Sequence, residues 1–208
     1  MKLGRGVICC LLLACDPFAV EGDGNKETRA LSLDDFERVE NESELDVHIE
    51  RGAFDIQVTL DENLQRFVDV WVDSGVLHVE TTRWIDYDGV GRVDVVIPRL
   101  IGAELSGSGN VEVDAKAGEL ELELSGSGDV HLIGRASTLS ADLSGSGDIE
   151  AQDFTVSSAD LRLDGSGSIR ARVQEHAVVR ISGSGNVELW GEADVEVSNS
   201  GSGEMIRR

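Results

Sequence analysis

Two aspartates at positions 129 and 148 each follow a Gly-Ser-Gly tripeptide. If those segments stack as neighbouring strands, their carboxyl groups come to lie about 5 Å apart, a separation suited to a carboxylate pair that cleaves glycosidic bonds. Calcium is the other chemistry that acids after glycines suggest. Calcium-binding nonapeptide repeats, however, place a spacer between glycine and aspartate and recur every nine residues. Here the acid follows glycine directly, and Asn110, Ser168 and Asn186 hold the equivalent position in other copies. The four histidines, His48, His78, His131 and His176, lack both the i, i+4 spacing and the nearby cysteine that zinc favours, so no metal site is expected. The serines sit in repeated corners with no partnered histidine. Trp84 and Tyr87 fall in Trp84–Gly89, where apolar residues break the local alternation, and read as an exposed loop able to stack on a sugar or a partner. Trp84, Tyr87, Asp129 and Asp148 are therefore the candidate ligand contacts. No catalytic residue, metal ligand or cofactor is assigned.

The elements that position these residues follow from a repeat. Six corners run through the second half, with glycine pairs at Gly107 and Gly109, Gly126 and Gly128, Gly145 and Gly147, Gly165 and Gly167, Gly183 and Gly185, and Gly201 and Gly203. The first glycines are 19, 19, 20, 18 and 18 residues apart. Self-similarity at such a period is the mark of a solenoid, whose single unit cannot bury its own apolar face. Each corner leads into an alternating run such as Val111-Glu-Val113 or Ile149-Glu-Ala151, and a second run such as Leu120-Glu-Leu122-Glu-Leu124 climbs to the next. Aliphatic residues point one way and charged residues the other, the period of half-buried strands. The predicted fold is all-β: a single-stranded right-handed parallel β-helix of about 19 residues per coil and roughly five full coils, handed by the rule for parallel crossovers. Glycine at the corners meets a need for positive φ or for close backbone approach. The outward columns Glu112, His131, Glu150, Arg170, Glu188 and Glu123, Asp142, Arg162, Arg180, Ser198 read as cross-strand charge pairing on a solvated face.

Residues 31–99 also alternate with period two, for instance Phe54-Asp-Ile56-Gln-Val58 and Val68-Asp-Val70-Trp-Val72, and turns are expected at Arg51-Gly52, Asp61–Asn63 and Asp73–Gly75. Gln65–Phe67 is at most a helical turn. This amino-terminal β region is expected to cap the solenoid of residues 100–208 and protect its sticky edge. Residues 16–30, with Asp-Pro and Gly-Asp-Gly-Asn, read as a flexible tether.

Residues 1–15 form a leader, with Lys2 and Arg5 ahead of a short apolar stretch. The stretch ends in Leu12-Leu13-Ala14-Cys15, which resembles a bacterial lipobox; the resemblance implies cleavage before Cys15 and lipidation of its thiol. Cys9 and Cys10 would leave with the leader, so disulfides and thiol catalysis are excluded from the remaining domain. Formal net charge is −22 at pH 7. Such a field repels nucleic acid and anionic lipid and is compatible with cationic partners, neutral glycans, or anionic glycans bridged by a divalent metal.

Repeated Ser-Gly-Ser-Gly-Asp/Asn-Val after a leucine, preceded by Val93-Asp-Val-Val-Ile97-Pro98, resembles the putative auto-transporter adhesin, head GIN domain family over about Phe36 to Met205. The resemblance implies a β-helical protein of the bacterial envelope with no established catalytic residues to carry over. The strong acidity, and Asp164 where the corner usually has serine, depart from that pattern. The resulting expectation is a non-enzymatic envelope protein, lipid-anchored and periplasmic or surface-exposed. Its solenoid would present repeated faces to a glycan or an envelope protein. A carbohydrate-active enzyme on the same scaffold and a purely structural or signalling role are the alternatives. The oligomeric state is left open.

Overall fold

The computed structural model describes residues 19–208. The expected leader, Cys15 and the start of the tether lie outside the described residues. Among the described residues, one 3-10 turn at Gln65–Phe67 is the only helical element, as the sequence suggested, and none is long and apolar enough to cross a membrane.

The chain first lays down β1 (Val20–Glu21), β2 (Lys26–Leu31), β3 (Arg38–Asn41), β4 (Asp46–Arg51), β5 (Asp55–Asp61), β6 (Val68–Asp73), β7 (Val76–Thr81), β8 (Ile85–Asp86) and β9 (Arg92–Ile97). It then winds through β10 (Gly102–Leu105), β11 (Val111–Lys116), β12 (Glu119–Leu124), β13 (Val130–Leu143), β14 (Ile149–Leu163), β15 (Ile169–Ile181), β16 (Val187–Trp190), β17 (Asp194–Asn199) and β18 (Met205–Arg207). Every pairing from β10 onward is parallel, and successive coils stack residue on residue, as in Leu120 beside Leu139 beside Ala159 beside Ala177. The alternation in sequence becomes alternation in burial: Leu120, Leu122 and Leu124 are at most 2% exposed, and the glutamates between them face solvent. The result is a β-solenoid of about six turns and about 19 residues per coil.

The corner glycines serve close approach rather than left-handed φ, because positive φ occurs at Gly24, Gly75, Gly89, Gly134 and Gly191 and at none of the twelve corner positions. A Cβ built on Gly126 would lie 2.1 Å from the carbonyl oxygen of Gly107, and one on Gly145 would lie 2.1 Å from that of Gly126. Each corner therefore rests its backbone on the preceding corner. Main-chain bonds hold the stack, with Ser146 N–H donating to Gly126 O (3.1 Å) and Gly145 N–H to Leu124 O (3.1 Å).

The turn beyond the expected five comes from residues the glycine periodicity does not mark. β3 and β4 form a coil of their own, joined by Asn41-Glu-Ser-Glu-Leu45, on which the first Gly-Ser-Gly corner sits: a Cβ on Gly107 would lie 2.0 Å from Ser43 O. Corner Cβ atoms point toward the preceding coil. Beneath Asn41–Leu45 that coil is the longer connection between β7 and β9, so side chains fit and glycine is unnecessary. Asn41, wholly buried, closes the corner instead: its Nδ2 donates to Leu45 O (2.9 Å), and its Oδ1 accepts from the backbone N–H (3.0 Å) and hydroxyl (2.6 Å) of Ser43.

β7 and β9 stack outside β3 and β4, so residues 31–99 contribute coils as well as a cap. The covering itself is antiparallel: β2 on β5, β5 on β9, and β6 on β7 through a tight turn at Ser74 (φ 51°) and Gly75 (φ 83°). The tether expected over 16–30 is corrected here for its described part. Residues 20–21 pair with β8, and 26–31 form β2. Polar composition suggested a linker, but an edge strand needs only its ladder and a few side-chain ties. Lys26 pairs with the buried carboxylate of Asp61 (2.9 Å), and Arg29 donates to Val68 O (3.0 Å). The opposite end is less covered. Val197 is 46% exposed, whereas its register partner Val179 is fully buried.

Candidate functional site

The residue after each corner turns out to be part of the scaffold. Asp46 Oδ1 accepts the N–H of Asn110 (2.9 Å), Asn110 Oδ1 that of Asp129 (2.9 Å), Asp129 Oδ1 that of Asp148 (2.8 Å), and Asp148 Oδ1 that of Ser168 (2.7 Å). Asn186 does the same for Glu204 (2.9 Å). A short side chain with an oxygen at this place satisfies a backbone donor on the next coil, which is why Asp and Asn recur there. The second oxygen of Asp148 is 3.0 Å from Arg170, which also holds Glu150 at 3.0 Å. Asp129 and Asp148 are stacked, as expected, but each commits an oxygen to the ladder, and Asp148 is further neutralised by an arginine.

Trp84 and Tyr87 part company. Tyr87 is packed beneath the first corner: its hydroxyl donates to Glu44 O (3.0 Å) and Lys26 Nζ lies 5.5 Å from its ring centre. Gly91 sits so close that a Cβ there would be 2.3 Å from the ring. Burial, aided by Asp46 and Glu44, pushes the phenol pKa up to about 12. Tyr87 therefore buttresses the loop. Trp84 is 70% exposed, while its backbone is fixed by Val20 N–H donating to its carbonyl (2.9 Å).

The indole borders an open groove of about 590 Å³ whose walls include Arg83, Thr82 and Glu42 and whose floor runs onto Ser106, Ser108, Ser125 and Ser127. The serines of successive corners are exposed and form two parallel rows at the strand spacing of about 4.8 Å, with bare glycine backbone between them. An aromatic face next to a ladder of hydroxyls and main-chain groups offers apolar stacking at one point and regularly spaced hydrogen bonds beyond it.

The outward column beside this groove is acidic. Register places Glu40, Glu104, Glu123 and Asp142 side by side on consecutive coils, with His78 at one end and Arg162 at the other. Partial burial, and then like-charged neighbours, raise the pKa of Glu104; partial burial followed by a hydrogen bond with Glu42 and repulsion from Glu104 and Glu42 raises that of Glu40, against the opposing pull of His78. Partial burial also leads the upward shift of Asp142, against the pull of Arg162. The further half of the column, where Arg162 lies near Asp142 and binds Asp164 and Arg180 binds Asp160, is charge-paired as predicted.

One cluster escaped the sequence reading. His78, set aside for its spacing, lies beside Glu40 across the β3–β7 pairing, with Nδ1 2.8 Å from Glu40 Oε2, and Glu42 completes a group whose ligand atoms lie within 4.8 Å of one another. The signal needed was the strand register between residues nearly forty positions apart, which spacing along the chain does not carry.

A family model described as "Putative auto-transporter adhesin, head GIN domain" matches residues 35–193. The fold is similar to that of a putative adhesin from Bacteroides fragilis (TM-score 0.75, 18% identity, covering 91% of this chain and 100% of the other). It is also similar to a putative adhesin from Parabacteroides merdae (TM-score 0.59, 21% identity, covering 92% and 99%) and to a putative lipid binding protein from Parabacteroides distasonis (TM-score 0.55, 22% identity, covering 91% and 99%). No curated protein matches the sequence.

Proposed function

The chain belongs to the putative auto-transporter adhesin, head GIN domain family, and from that premise we propose that it is a non-enzymatic, lipid-anchored protein of the bacterial envelope that binds a neutral glycan in the groove beside Trp84. The exposed indole at the end of the serine ladder carries this reading. A sugar ring covers the indole face, and the following residues of the glycan lie along hydroxyls and backbone groups spaced at a fixed interval. Each contact is weak, and a rigid ladder lets several form together. The net charge of −22 opposes nucleic acid and anionic polymers and leaves neutral saccharides as the favoured class. An enzyme built on Asp129 and Asp148 is disfavoured, since both carboxylates support the corner ladder.

The test is a glycan array probed with wild-type protein and Trp84→Ala. Retention of a neutral glycan that falls about tenfold or more in the variant, equivalent to about 1.4 kcal/mol, is expected. Equal binding by both proteins would remove the groove from the account, and binding confined to envelope proteins would replace the glycan with a protein partner.

The anchor rests on Leu12-Leu13-Ala14-Cys15. Several acyl chains hold a protein to one leaflet because each buried methylene contributes about 0.8 kcal/mol. Metabolic labelling with palmitate is expected for the wild type and lost in Cys15→Ser; labelling that survives the substitution argues against the anchor.

A further inference from the structure

Three side chains able to ligate a metal converge on the outward face of the first coils. Parallel pairing sets Glu40 on β3 directly opposite His78 on β7, and Glu42 follows at the start of the glycine-free corner. One ligand atom from each lies within 4.8 Å of the other two. The imidazole does not swing freely. It is stacked on the indole of Trp71 at 4.9 Å between ring centres and 12° between planes, so its nitrogens are presented in the plane that Glu40 already meets at 2.8 Å. Charge balance points the same way. Among the described residues no lysine or arginine forms an ion pair with Glu40, Glu42 or Glu104, although elsewhere on this surface the outward acids Glu121, Glu150, Asp160 and Glu188 each have an arginine. Among the described residues, the one basic side chain within ion-pair distance of these three carboxylates is thus His78, 2.8 Å from Glu40.

We propose that Glu40, Glu42 and His78 form a binding site for one divalent transition-metal ion, with zinc the best fit. Two oxygens and one imidazole nitrogen are too few and too mixed for calcium or magnesium, which take six or more oxygen ligands. They match the three-ligand sets that hold zinc with solvent in the fourth position. Ligand atoms around a tetrahedral zinc lie about 3.3 Å apart. Binding asks for a rotation of Glu42, which is exposed, and for Glu40 Oε2 and His78 Nδ1, now 2.8 Å apart, to part by about half an ångström. Trp71 covers one side of the ring, and Glu104 stands next in the column to orient bound water. The site shares Glu42 with the wall of the groove beside Trp84 but draws neither of its other two ligands from that groove.

The experiment titrates zinc into the full chain, freed of metal beforehand, by calorimetry, with cobalt(II) as a spectroscopic substitute whose visible bands report coordination geometry. Saturation at one ion per chain is expected, with affinity falling at least tenfold in His78→Ala and in Glu40→Gln and unchanged in Glu123→Gln, an acid further along the same column. Thermal melting of each variant establishes that it is folded. Loss of affinity in the unfolded state alone is thereby separated from loss of a ligand. Absence of saturable binding, several equivalent ions per chain, or equal affinity in folded His78→Ala would overturn the proposal, leaving only diffuse attraction to an acidic face.

Discussion

Replacing Gly147 with alanine is expected to destabilise the protein by about 3 kcal/mol or more, while the same change at Gly118 leaves stability unchanged or slightly higher. A Cβ on Gly147 would lie 1.9 Å from the carbonyl oxygen of Gly128, and the obstacle is backbone in a stacked corner rather than the end of a flexible side chain. Relief requires the coil to separate from its neighbour, which breaks ladder bonds on both sides of the corner. Overpacking in a well-packed site costs typically about 1–3 kcal/mol, and an obstacle that cannot move places this position at or above the upper end. Gly118 has nothing within 4 Å of its would-be Cβ, and alanine there reduces only the freedom of the unfolded chain, worth about 0.4–1 kcal/mol in favour of folding. Paired denaturant unfolding of the two variants gives the comparison. Equal effects at both positions would mean that the corners are not in backbone contact.

The second large effect is expected at Phe154. The coil from Gly145 to Gly165 is the one with a spacing of 20 residues, and its surplus residue is absorbed as an irregularity: His131 pairs with Glu150, but Ile133 pairs with Asp153. The displacement turns Phe154 inward, where it is 1% exposed and its register partner on the preceding coil is Gly134, which has no side chain to fill the space. Phe154→Ala leaves a void that neighbours on a rigid ladder cannot collapse to fill, so a loss of about 3–5 kcal/mol is expected in equilibrium unfolding. Phe154→Leu, retaining most of the volume, should recover more than half of it. A loss under about 1 kcal/mol in the alanine variant would indicate that this coil repacks freely.

The parts of the fold visible in the sequence were those in which one physical need recurs. Each corner must bring backbone onto backbone, so glycine repeats, and each strand must bury alternate residues, so Leu120, Leu122 and Leu124 repeat with it. The coil at Asn41–Leu45 stayed hidden because no tight corner lies beneath it and the need for glycine lapses; Asn41 closes it with side-chain bonds, as Asn199 does in the final coil, where its Nδ2 donates to Gly203 O (2.7 Å). An asparagine just before the corner, where the inner coils have leucine or isoleucine, is the trace this leaves in the sequence. Residues 26–30 have the polar composition of a tether, yet the antiparallel ladder to β5 needs no apolar face. At the candidate site, Trp84 was legible from broken alternation. The buttressing role of Tyr87 depends on Glu44 and Gly91, and the company of His78 depends on register, neither of which local spacing encodes.

Rigid stacking of the corners underlies the hydroxyl ladder and the groove beside Trp84. Amide hydrogen exchange resolved to single residues tests it most directly, because Ser127 N–H donates to Gly107 O, Ser146 N–H to Gly126 O and Ser166 N–H to Gly145 O. Protection at these serine amides comparable with that of the strands on either side is predicted. Exchange at the rate of an open glycine-rich loop would contradict the account.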